Sequence, residues 1–72
     1  MNREATSRLA EALGFTLKAS NFGTKIVDGD ERPIAVGRSN KCTLQQAQNH
    51  LIDLWTSECT ATGVEPNLDQ FK

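Results

Sequence analysis

A long amphipathic helix in the second half of the chain is the feature that most constrains its fold. Thr43-Leu44-Gln45-Gln46 matches a capping box, in which the Thr43 hydroxyl and the Gln46 amide satisfy free backbone N–H groups at a helix start. Apolar residues then recur at helical spacing through about residue 60 and cover an arc of roughly 160° on a wheel of about 100° per residue. They are Leu44, Ala47, Leu51, Ile52, Leu54, Trp55 and Cys59. Gly63 and Pro66 predict where the helix ends, and its apolar side requires a second layer to pack against.

A first helix and three strands are predicted ahead of it. Residues 2–13 carry apolar positions at a 3.6-residue spacing, with Asn2 suited to cap the start and Gly14 to end the helix. Strands are predicted over 15–19, 24–27 and 33–36, with turns at 20–23 and 28–31.

The strand pattern also predicts which side chains face inward. Phe15, Leu17 and Ala19 alternate with polar residues and are expected to face the core. Ile26 and Val27 are adjacent and cannot both do so, which means that one of them is expected to point outward.

The predicted fold class is α+β, a single small domain of order α-β-β-β-α. Both helices are expected to cover one face of a three-stranded antiparallel sheet. We expect the domain to span residues 1–63 and residues 64–72 to form a polar tail with Leu68 and Phe71 as isolated apolar anchors. At 72 residues the stability margin is thin, and domains of this size often add a disulfide, a metal or a partner subunit.

The sequence favours neither a disulfide nor a metal. Cys42 and Cys59 would lie at opposite ends of the second helix, roughly 25 Å apart at about 1.5 Å per residue, beyond the reach of a bridge. Both are expected to be free thiols, with buried packing and a reactive Cys42 at a helix start as the two interpretations. With His50 they offer no metal-ligand spacing, and no nucleophile accompanies His50, so we expect no cofactor, no metal site and no enzyme.

Charge and hydropathy describe a soluble, cytoplasmic chain. Eight Lys and Arg residues against nine Asp and Glu give a net charge of −1, which argues against a dominant electrostatic grip on nucleic acid. Residues 1–41 carry seven basic and five acidic groups, whereas 42–72 carry one basic and four acidic groups. No apolar run is long enough to span a membrane, and we expect no secretory signal and no membrane partner.

Two apolar features are candidate partner surfaces. Ile52, Trp55 and Cys59 form a stripe along one edge of the second helix, which either fills the small core or docks a partner or a second copy of the chain. Phe22 stands at a turn, where it either anchors a partner or folds back over the sheet.

The third candidate surface is basic. Arg38 and Lys41 precede the N-terminus of the second helix, where backbone N–H groups favour anions. With Lys18 they would form the contact of a nucleic-acid-binding module, and a solvated loop is the plainer alternative.

The element order, with Gly37-Arg38 and Lys41 ahead of a long second helix, resembles the double-stranded-RNA-binding domain over residues 2–60. That family carries a basic cluster at the start of its second helix, whereas here the positions are Asn40, Lys41, Gln45, Gln46 and Gln48. The resemblance implies a shared order of elements more than shared RNA-binding chemistry.

The chain also resembles small orphan proteins of phages and prophages, among them anti-CRISPR proteins. The segments that carry this resemblance are Leu13-Gly14-Phe15-Thr16-Leu17, Ile26-Val27-Asp28 and Cys42-Thr43-Leu44 ahead of a closing helix. The resemblance implies a non-enzymatic protein that binds and modulates a bacterial host protein. The alternatives are a nucleic-acid-binding accessory module and a structural homodimer subunit.

Overall fold

The computed structural model describes residues 2–20, 23–36 and 41–71 and has the predicted order of elements. The elements are α1 (Arg3–Ala12), β1 (Thr16–Ser20), β2 (Gly23–Val27), β3 (Pro33–Ile34), α2 (Leu44–Thr62) and a 3-10 helix over Asp69–Phe71. The strands form one antiparallel sheet in the order β1-β2-β3. The α+β prediction is therefore confirmed.

Local sequence signals determine where both helices begin and where α2 ends. Asn2 accepts a hydrogen bond from the backbone N–H of Ala5 at 2.8 Å, which caps α1. The predicted capping box begins α2, with Gln46 N–H donating to the Thr43 hydroxyl at 3.1 Å and Thr43 N–H donating to the Gln46 side chain at 2.9 Å. Gly63 ends α2 in the left-handed region at φ 75°.

The core lies between the two helices and one face of the sheet. α1 packs against α2 and β1, and α2 packs against β2. The buried apolar residues of this core are Ala5, Leu9, Ala10, Ile26, Cys42, Ala47, Leu51 and Phe71. Phe15 and Leu17 pack against them as predicted, but Ala19 is exposed and that part of the prediction is wrong. The alternation of β1 continues past the edge of the region that the helices cover.

The third strand is shorter than predicted, and a distant residue extends its edge of the sheet. Pairing with β2 covers Pro33 and Ile34 only. Nearer the start of β2, Thr24 pairs instead with Cys42, and their backbone groups exchange hydrogen bonds of 2.9 and 2.8 Å. The pattern of residues 33–36 carries no sign of this pairing, because Cys42 lies beyond an intervening segment of the chain.

Val27 points away from the core but is buried, although an outward-pointing residue is expected to be exposed. Ile26 belongs to the core, and alternation turns its neighbour Val27 to the other face of the sheet. Val27 is nevertheless only 2% exposed. It lies on the central strand directly between Thr16 and Pro33, so side chains of both neighbouring strands flank it.

Candidate interaction surface

The apolar stripe of α2 is largely covered by the protein itself. Cys59 is buried, and Ile52 and Trp55 are half-buried against the core. The ring of Trp55 meets the ring of Phe71 edge to face, with centroids 5.2 Å apart and planes at 84°. Val64 is the one large hydrophobic residue in the described ranges that is mainly exposed.

The structure limits one of the sequence-based candidates and does not bear on two others. Cys59 is 5% exposed and offers almost no surface to a partner. Phe22 and Arg38, which the sequence marked as a partner anchor and an anion contact, lie outside the described residues.

Lys18 lies on the face of the sheet opposite the core, directly across from Lys25. The register pairs Leu17 with Ile26 on the core face and Lys18 with Lys25 on the other face. Directly opposed residues on antiparallel strands have Cβ atoms about 4.5–5.5 Å apart. Both lysines are exposed. Neither ammonium group forms an ion pair or a hydrogen bond with any residue the structure describes, whereas Arg8 pairs with Glu4 at 2.6 Å.

Lys41 lies beside this pair at the start of β2. A Cβ built on Gly23 would lie 4.0 Å from the Cβ of Lys41. Because Cys42 enters the core, alternation places Lys41 on the same side of the sheet as Lys18 and Lys25. We call Lys18, Lys25 and Lys41 the lysine face. It joins two residues that the sequence singled out, Lys18 and Lys41, with Lys25, which it did not.

Acidic residues lie at the opposite end of the β2–β3 hairpin. The turn contains Asp28, Asp30 and Glu31, and the Asp28 carboxylate accepts hydrogen bonds from the backbone N–H groups of Asp30 at 2.9 Å and Arg32 at 3.0 Å. Since strands rise about 3.3 Å per residue, the acidic turn is separated along the hairpin from the lysine face.

Cys42 is buried and forms a hydrogen bond within the protein. It is 9% exposed, and its Sγ donates to the backbone oxygen of Thr24 at 3.4 Å. Burial raises the pKa of the Cys42 thiol. A protonated, buried thiol is a poor nucleophile, which favours the packing interpretation over the reactive one. Cys42 and Cys59 are both free, as predicted.

Among the described residues, no three His, Cys, Asp or Glu side chains are grouped closely enough to hold a metal ion. No helix within those residues has the length and apolar character needed to cross a membrane.

No protein-family model, curated protein or solved structure matches the chain. The candidate surface is therefore defined by the chain's own residues.

Proposed function

We propose that this chain is a small non-enzymatic binding protein that binds another protein through the lysine face and modulates or inhibits it. The opposition of Lys18 and Lys25 is the observation that supports this proposal. Like charges directly opposite each other destabilise a strand pair. A partner that brings carboxylates to this face would neutralise both charges, and the repulsion present in the unbound protein would be relieved on binding.

The lysine face fits an acidic protein surface better than it fits a nucleic acid strand. Its side chains are lysines, and no aromatic side chain is exposed beside them in the described part of the sheet. Stacking of bases on aromatic rings is a usual part of single-strand binding. The net charge of −1 also provides little long-range attraction for a polyanion.

The setting we propose for this function is a bacterial cell. The resemblance to phage and prophage proteins implies a host protein as the partner and the host cytoplasm as the location. A homodimer is less suited to this surface, because a second copy would have to present a different, acidic surface to the lysines. Such head-to-tail contacts produce rings or filaments rather than a closed dimer.

A nucleic-acid-binding module is the second candidate, and the position of Lys41 favours it. Lys41 adds a third cation to the pair on the same face of the sheet. Neutralising two or three phosphates would give a slope of about −2 to −3 in a plot of log affinity against log salt. An affinity that does not change with salt would contradict this second candidate.

The test is a pull-down from bacterial lysate with three tagged baits: the unchanged chain, Lys18→Glu/Lys25→Glu, and Arg3→Glu/Arg32→Glu. The control double variant changes the net charge equally, at exposed positions on α1 and at the far end of the hairpin. Circular dichroism first establishes that all three baits are folded.

We expect a defined protein that survives nuclease treatment to bind the unchanged chain and the control, and to be lost from Lys18→Glu/Lys25→Glu. Equal recovery on all three baits would contradict a role for the lysine face. Loss of all bound protein on nuclease treatment, with nucleic acid enriched before it, would replace the proposal with the second candidate.

A further inference from the structure

The segment after α2 crosses back over the domain and closes part of the core. Gly63 turns the chain in the left-handed conformation, and Val64 N–H donates to the Cys59 oxygen at 2.8 Å. Residues 64–67 are exposed, Leu68 is half-buried, and Phe71 is 6% exposed within the core. We call residues 64–71 the strap.

The strap joins the two helices through Phe71. The Phe71 ring packs against Trp55 of α2, while the Phe71 backbone oxygen lies 3.5 Å from Nη1 of Arg8 on α1. The 3-10 helix around Phe71 contacts α1. The cover over Trp55 therefore includes a short segment attached to the end of α2, in addition to the regular elements of the fold.

With Phe71 packed in the core, a polar atom of Trp55 is buried without a hydrogen bond. Nε1 of Trp55 is buried, and no residue in the described part of the chain accepts a hydrogen bond from it. A buried N–H without an acceptor loses its hydrogen bond to water and gains none in exchange, which disfavours the state that buries it. Moving Phe71 away would expose this region of Trp55 to water.

From these contacts we propose that the strap opens and closes as a unit against α1 and α2 while the sheet and both helices remain folded. The open state exposes Trp55 to solvent more fully than the closed state does. The unsatisfied Trp55 N–H disfavours the closed state, and the burial of Leu68 and Phe71 favours it. This proposal does not depend on the function proposed above.

Trp55 is the single tryptophan in the chain and reports directly on the strap. Phe71→Ala is expected to shift the Trp55 emission to longer wavelength and to increase its quenching by acrylamide, while helical circular dichroism is retained. Val64→Ala, in the same segment but 58% exposed, is the matched control and should leave both signals unchanged. A folded Phe71→Ala protein with unchanged emission and quenching would overturn the proposal.

Hydrogen exchange on the unchanged protein decides the question even if Phe71→Ala fails to fold. The Phe71 amide, bonded to the Leu68 oxygen, is compared with the buried Ala47 amide, bonded to the Thr43 oxygen. We expect the Phe71 amide to exchange at least tenfold faster, through an opening that depends less steeply on urea than the opening that exposes the Ala47 amide, because the strap exposes less surface than the whole domain does. Equal protection and equal urea dependence of the two amides would overturn the proposal, because the strap would then open only when the whole domain unfolds.

Discussion

At the scale of single residues, the opposition of Lys18 and Lys25 is the clearest departure from what folding alone favours. To predict that these two lysines lie opposite each other, the register of the β1–β2 hairpin must be known. The strands alternate visibly in the sequence, but only the exact count of residues between them decides which side chains oppose each other. In the structure residues 21 and 22 separate β1 from β2, and this spacing pairs residue 18 with residue 25. For this reason, the sequence identifies Lys18 as a candidate contact residue but does not identify Lys25.

Replacing one of these lysines by glutamate should stabilise the protein. Lys25→Glu converts a repulsive cross-strand pair into an attractive one, and such pairs contribute roughly 0.2–1 kcal/mol. Urea unfolding followed by Trp55 fluorescence is expected to show a higher midpoint with an unchanged slope. Arg32→Glu is the control with the same charge change at the far end of the hairpin. A midpoint for Lys25→Glu at or below that of the unchanged protein would show that the opposed lysines do not destabilise the sheet.

The two cysteines should be almost unreactive while the protein is folded. Both are buried, and burial raises the pKa of the Cys42 thiol above its ordinary value of 9.0. Labelling with a thiol reagent at pH 8 is therefore expected to be slow in buffer and fast in urea. Fast labelling of either cysteine in the folded protein would contradict its burial.

The raised pKa also has a consequence for stability at high pH. The unfolded chain releases the Cys42 proton at lower pH than the folded protein, so the contribution of this thiol is complete below pH 9.0 and falls as pH rises further. In Cys42→Ser, which has no thiol at this position, the free energy of unfolding should fall less steeply above pH 9.0. Identical slopes for the two proteins would contradict this effect.

At the scale of elements, the helices were predictable because their signals are local. The Asn2 cap, the Thr43–Gln46 capping box and the stop at Gly63 each depend on residues close together in the chain. The third strand was less predictable, since its edge of the sheet is extended by Cys42. The same limit applies to Phe71, whose polar neighbours in the sequence give no sign that it enters the core.

The glycine at the end of α2 is expected to be required for its conformation. Gly63 has φ 75°, and forcing a side chain into the left-handed region costs about 1–2 kcal/mol. Gly63→Ala should therefore lower the melting temperature by several degrees in circular dichroism, since about 1 kcal/mol corresponds to roughly 4–8 °C in a domain of this size. Gly29→Ala is the matched control, because Gly29 is not among the described positive-φ residues and a Cβ there meets no atom within 4 Å. Equal losses in the two variants would show that the left-handed conformation is not the cause.

At the scale of the whole molecule, the fold covers one face of a three-stranded sheet with two helices and leaves lysines on the other. The fold class followed from periodicity, because each segment repeats the spacing of its own element. The candidate surface could not be predicted from periodicity, because it depends on which residues are paired across strands and on which residues cover the apolar stripe of α2. The sequence left two interpretations of the Trp55 stripe open, core packing and partner docking, because the packing of Trp55 against Phe71 depends on the course of the strap.

The most direct test of the central proposal is lysine footprinting of the protein alone and in complex with the partner recovered by the pull-down. Lys18 and Lys25 are exposed in the unbound protein and should be acetylated readily. We expect the acetylation of both lysines to fall severalfold in the complex. Full labelling of Lys18 and Lys25 in an intact complex would place the contact elsewhere and contradict the proposed role of the lysine face.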